Sequence, residues 1–188
     1  MASIPDECFL PISKRRQSGT FFFRVTQYSN EIGEWLWKYH EAARQKGVIL
    51  ENQIQNPDER QLNYYMETMG TAFSPEGTFI RSALQKWMPR MNEGVRAEFA
   101  EALYAQLQEM RRQGKSVGIQ KNVYIKLMCW LYYKFERLMP YLGQDDAPKI
   151  LYESSSITNH ELILLRLLMS MGTDIVLLET QSDEAYQK

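Results

Sequence analysis

Apolar residues are spread along this chain in two different ways. Between Asn30 and Met139 they recur at steps of three and four, the spacing of a helix face. Between Lys149 and Leu178 they come as unbroken runs, the mark of elements covered on more than one side. The first pattern predicts a helix from about Asn30 to Lys46, striped by Ile32, Trp35, Leu36 and Tyr39 and stopped by Gly47. A second opens at Asn56-Pro57 and presents Leu62, Tyr65, Met66 and Met69 before Gly70. A loop at 72–79 leads to a short helix that Pro89 ends. A third main helix starts near Asn92, with Phe99, Leu103, Leu107 and Met110 on one stripe. The fourth, about Gln120 to Met139, is the most apolar of the set and reads as the centre of a bundle.

The second pattern reads as strand, helix, strand. Lys149-Ile-Leu-Tyr152 and Asp174-Ile-Val-Leu-Leu178 are short apolar runs. Between them Thr158 stands three residues before Glu161, the spacing of a capping box. Leu162 to Met171 is apolar but for Arg166 and Ser170, and Gly172 follows. Two parallel strands joined by a crossover helix are expected. Residues 1–29 read as an extended lead-in, although the aromatic segment Thr20 to Val25 is either a strand or an anchor on the core.

The expected fold is therefore mainly α: a helical bundle over 30–143, then a single βαβ unit over 148–188 that begins a truncated Rossmann-like α/β domain. Two parallel strands alone do not make a stable sheet, so the chain reads as cut from a longer protein at Lys188.

Composition narrows the function. A net charge of −1 gives no global basic surface and speaks against nucleic acid. Two scattered cysteines and no signal peptide point to the cytoplasm, and Arg166 interrupts the longest apolar segment, against a membrane span. The two histidines and two cysteines have no zinc spacing, and GxSxG, P-loop and GxGxxG patterns are absent, so no cofactor is assigned. His40, beside an apolar stripe, reads as structural. The basic run Arg111, Arg112, Lys115, Lys121 and Lys126 reads as a charged corner between helices.

One turn has a mechanism. Ser154, Ser155, Ser156 and Thr158 bring hydroxyls to the start of the crossover helix, where free N–H groups favour phosphate or carboxylate. Glu153 is expected to approach a ribose hydroxyl or a substrate. The competing reading is that these residues only cap the helix.

Lys121-Asn-Val-Tyr-Ile-Lys126, Trp130 to Arg137, Pro148-Lys-Ile-Leu-Tyr-Glu153, Asn159-His-Glu-Leu and Thr173-Asp-Ile-Val-Leu-Leu178 resemble the bacterial YceG-like family. The similarity is good from about 120 to 188 and weaker before. That resemblance implies a part in a tellurium-resistance "biosynthetic module", beside TerD-type and other ter-operon proteins, in tellurite or general stress response. Family members are longer, which again implies a fragment. Two functional classes follow: an accessory module that uses the bundle as an interaction surface, or part of an enzyme acting on a nucleotide or sugar phosphate. A nucleic-acid adaptor using the basic run is a weaker third.

Overall fold

The strand density at the N-terminus turns out to belong to the same sheet as the C-terminal unit. The computed structural model describes residues 6–179. Its elements run β1 (Phe22–Val25), α1 (Asn30–Gln45), β2 (Gly47–Leu50), α2 (Glu59–Met69), α3 (Gly77–Trp87), α4 (Glu93–Arg112), α5 (Val117–Phe135), β3 (Lys149–Ser154), α6 (Asn159–Ser170) and β4 (Asp174–Glu179). The four strands form one parallel sheet in the order β1-β4-β3-β2.

This corrects the expected bundle followed by a single βαβ unit. The strand partners sought beyond Lys188 come instead from the first fifty residues. The register pairs Phe23 with Val176 and Val48 with Ile150. The chain forms two compact units: a sheet unit, residues 1–54 with 141–188, and a helical unit, residues 55–140. Helix α1 belongs to the sheet unit.

The misreading of β2 has a local cause. Gly47 follows a helix directly, so it resembles a helix-stopping glycine. It does not take a positive φ, as Gly70 and Gly172 do. It is the first residue of β2, and a Cβ there would lie 2.0 Å from the Lys149 carbonyl oxygen and 2.8 Å from that of Ala43. Close backbone approach, not chain reversal, requires the glycine. Gly47→Ala is expected to lower stability by about 1–3 kcal/mol, the usual cost of overpacking, as read by urea denaturation.

The pleat sorts the sheet's side chains onto two faces. On one face Leu151 and Val176 pack with Trp35, Tyr39 and Ala43 of α1 and with Cys8. Phe23 meets Trp35 edge-on at 5.4 Å, a favoured aromatic geometry. On the other face Ile150, Tyr152, Ile175 and Leu177 are buried, and Tyr152 reaches Glu161 of α6. The two crossover helices thus cover opposite faces. Both central strands are apolar on both sides, which is why their sequences show no alternation.

A charged hub fixes the amino-terminal edge of this sheet. Asp174, the first residue of β4, accepts two bonds from the Arg15 guanidinium at 2.8 and 2.7 Å. It also accepts from Phe21 N at 2.9 Å and pairs with Lys149 Nζ at 3.0 Å. The Arg15 and Asp174 side chains are fully buried. Arg15 further donates to the carbonyls of Cys8, Leu10 and Gly19, so the segment before β1 is stitched to the sheet.

The helical unit is built around α5, which carries ten buried residues, as its apolar density required. Trp87 of α3 donates to the Met128 carbonyl at 2.8 Å, and Tyr65 of α2 meets Trp87 edge-on. Helix α2 starts slightly later than its sequence suggests, because Asp58 and Gln61 form a reciprocal capping box.

Cys8 and Cys129 are buried free thiols. Burial pushes each from the ordinary value of 9.0 up to about 12, and for Cys8 the nearby Asp174 carboxylate adds to the effect. The unfolded chain therefore loses these protons first as pH rises. Stability is expected to be unaffected by the thiols below pH 9 and to fall between pH 9 and 12, as read by chemical denaturation across that range.

Candidate functional site

The carboxyl ends of the strands are where a parallel sheet of this kind receives ligands. At the end of β3 the serine-rich turn leads into α6, and at the end of β1 a short loop leads into α1. Ser29 caps α1 by accepting from Ile32 N at 3.2 Å. Both crossover helices open at the same sheet edge, on opposite faces, with β4 between β3 and β1.

The predicted site residues divide by how the fold uses them. Ser154 is buried; its hydroxyl donates to the Ser156 carbonyl and accepts from Ser156 N. Thr158 is the N-cap of α6 and accepts from Glu161 N at 3.3 Å. Glu153, Ser155 and Ser156 are exposed. By the pleat, Glu153 lies on the α1 face. The turn thus brings all five residues to one edge, with two hydroxyls committed to shaping it.

Glu161 carries more of this edge than a capping residue usually does. Its carboxylate is fully buried. One oxygen accepts from Thr158 N at 2.6 Å and from the Thr158 hydroxyl at 2.7 Å. The other accepts from the Tyr152 hydroxyl at 2.5 Å and from Ile54 N at 2.7 Å. Burial, and then the Glu161 carboxylate, hold the Tyr152 phenol well above its ordinary range. Tyr152 is thus a neutral donor at any physiological pH.

Two features here escaped sequence reasoning. Arg24, the single charge in an aromatic strand, pairs with Glu179 of β4 at 2.6 Å. The identity of Arg24 was visible, but its partner lies 155 residues away. The second is in the helical unit. Two adjoining open depressions, about 580 and 430 Å³, are lined by Asp58, Glu59, Arg60, Gln61, Asn63, Tyr64, Glu67, Tyr132 and Tyr133. Their aromatic floor is continuous: Trp87 to Tyr132 4.6 Å, Tyr64 to Tyr132 5.9 Å, Tyr132 to Tyr133 5.0 Å.

Among the described residues no three His, Cys, Asp or Glu side chains are grouped so as to hold a metal ion, and no helix is long and apolar enough to cross a membrane. Of the sequence comparisons, the family model described as the YceG domain matches residues 16–188. No curated protein matches the chain, and no solved structure does. The match takes in the sheet strands and the helical unit alike, so the chain belongs to the YceG domain family.

Proposed function

We propose that this chain is an accessory, partner-binding module of a bacterial tellurite or general stress response, acting in the cytoplasm with other ter-operon proteins. The resemblance supplies the system. The observation that carries the accessory role is the open tyrosine-lined depression on the helical unit, where Tyr64 and Tyr133 expose 43% and 36% of their surface. Aromatic rings on a solvent-facing concave surface are the usual anchors of protein recognition. The test is survival in tellurite. A bacterial strain lacking the chain should regain tolerance when it is restored, and should not when it carries Tyr64→Ala and Tyr133→Ala. Full tolerance in the deletion strain would remove the stress-response role.

A second reading is supported by the arrangement of the sheet edge. The N-termini of α1 and α6 open at the same edge, and Ser155 and Ser156 are exposed there, which suits a phosphate group of a nucleotide or sugar phosphate. Under this reading the chain is part of an enzyme. Titrating ATP or glucose 6-phosphate into the chain should shift the amide signals of residues 153–158. Unmoved signals there, with shifts elsewhere, would eliminate the site.

A further inference from the structure

We propose that the tyrosine-lined groove of the helical unit docks an arginine-rich segment of a partner protein. The inference rests on the accessory reading for its biological setting and on the groove's own chemistry for the occupant.

The groove lies along one face of α2 and the end of α5. Arg60 and Tyr64 stand four residues apart on α2, as do Asn63 and Glu67, so their side chains form adjacent rows. Tyr132 and Tyr133 come from α5. Trp87, 3% exposed, braces the rings from beneath. Hydrogen bonding to Tyr64, the first cause, and some burial hold the Tyr132 phenol above its ordinary range. Rings fixed in this way lose little freedom when a partner arrives.

Charge selects the partner. Asp58, Glu59 and Glu67 line the groove against the single cation Arg60. This acidic bias is local, because basic side chains outnumber acidic ones across residues 55–140 as a whole. A planar guanidinium can stack on a tyrosine face while bonding a neighbouring carboxylate in its own plane. Phosphate and acidic peptides would meet like charge. A second copy of the chain, docked by two-fold symmetry through the same face, would set these three carboxylates against themselves. Aromatic grooves also take extended proline-rich segments, but such segments make no use of the carboxylates.

The test uses the full chain and fluorescein-labelled nona-arginine, read by fluorescence anisotropy, with nona-glutamate and a proline-rich nonapeptide as comparisons. Nona-arginine should bind, more weakly as salt rises, and the other two should not. The double variant Glu59→Lys/Glu67→Lys should weaken binding at least about tenfold. Glu51→Lys/Glu98→Lys makes the same change in net charge at exposed positions that do not line the groove, and should weaken it less than about twofold. Tyr64→Phe should bind like the parent and Tyr64→Ala more weakly, with the thermal midpoint of each variant recorded alongside. Amide shifts on binding should centre on residues 58–67 and 132–133.

Equal losses in the two charge-reversed variants, preference for the proline-rich peptide, or no binding at all would overturn the proposal. The two levels separate cleanly. If nona-arginine does not bind yet tellurite survival still requires Tyr64, the accessory role stands with a partner of other chemistry. If it binds as described and survival is indifferent to the chain, the groove stands and the stress-response role falls.

Discussion

Replacing Asp174 with alanine should lower the unfolding free energy by about 3–5 kcal/mol, the cost of stripping one partner from a buried ion pair. The reason is that the carboxylate has four bonding obligations and no solvent to share them. Arg15, with its side chain fully buried, and Lys149, 6% exposed, would keep their charges with no counter-ion in the interior. Phe21 N would lose its acceptor as well. Against a typical total of about 5–15 kcal/mol, this leaves a protein partly unfolded at 37 °C. Asp174→Asn should recover little of the loss, because shape is kept and charge is not. Urea denaturation of both variants checks this. The double variant Arg15→Ala/Asp174→Ala should be less destabilised than the sum of the two single changes, since they share one network.

The second large effect is expected at Glu161. Glu161→Ala should cost about 3 kcal/mol, with about 1–3 kcal/mol for each buried donor left without an acceptor. The Tyr152 hydroxyl loses its acceptor outright, Ile54 N keeps only its 3.3 Å bond to that hydroxyl, and Thr158 N loses its acceptor although the Thr158 side chain still caps the helix. Glu161→Gln keeps one acceptor oxygen and turns an NH2 group toward donors on the other side. It should fall between parent and alanine. If Glu161→Ala costs no more than the roughly 1 kcal/mol of an ordinary cap, as read by chemical denaturation, the buried network is not what holds this edge.

Both effects sit where the chain's local signals ran out. The capping box at Thr158 and Glu161 could be read directly, since its partners are three residues apart. The apolar runs of β3 and β4 could be read because burial on both faces removes alternation. What joins β1 and β2 to them is not local. Arg15 and Asp174 are 159 residues apart, and Ile54 and Glu161 are 107 apart. Nothing in the spacing of Gly47-Val-Ile-Leu50 separates a four-residue strand from a loop that follows a helix-stopping glycine. Only the Lys149 backbone against Gly47 decides it. The aromatic segment before α1 could be read as a strand or as an anchor on the core, but its place beside β4 could not.

The candidate surfaces follow the same division. The serine-rich turn was visible because it is continuous in sequence, and so was the competing role of its residues as caps. That Ser154 is occupied by Ser156 depends on turn geometry that the residue types alone do not specify. The groove had no sequence signal. Tyr64 and Tyr132 become neighbours only when α2 packs against α5, and the carboxylates of α2 read as an ordinary solvated face until the rings are set beside them.

The central structural claim is that the first fifty residues complete the sheet. Nuclear Overhauser contacts on the isotope-labelled chain test it most directly. Cross-strand contacts should join Phe23 to Val176, Val48 to Ile150 and Leu151 to Val176, all in parallel register. Contacts between β3 and β4 alone, with Phe22–Val25 and Gly47–Leu50 showing no strand partners, would contradict it.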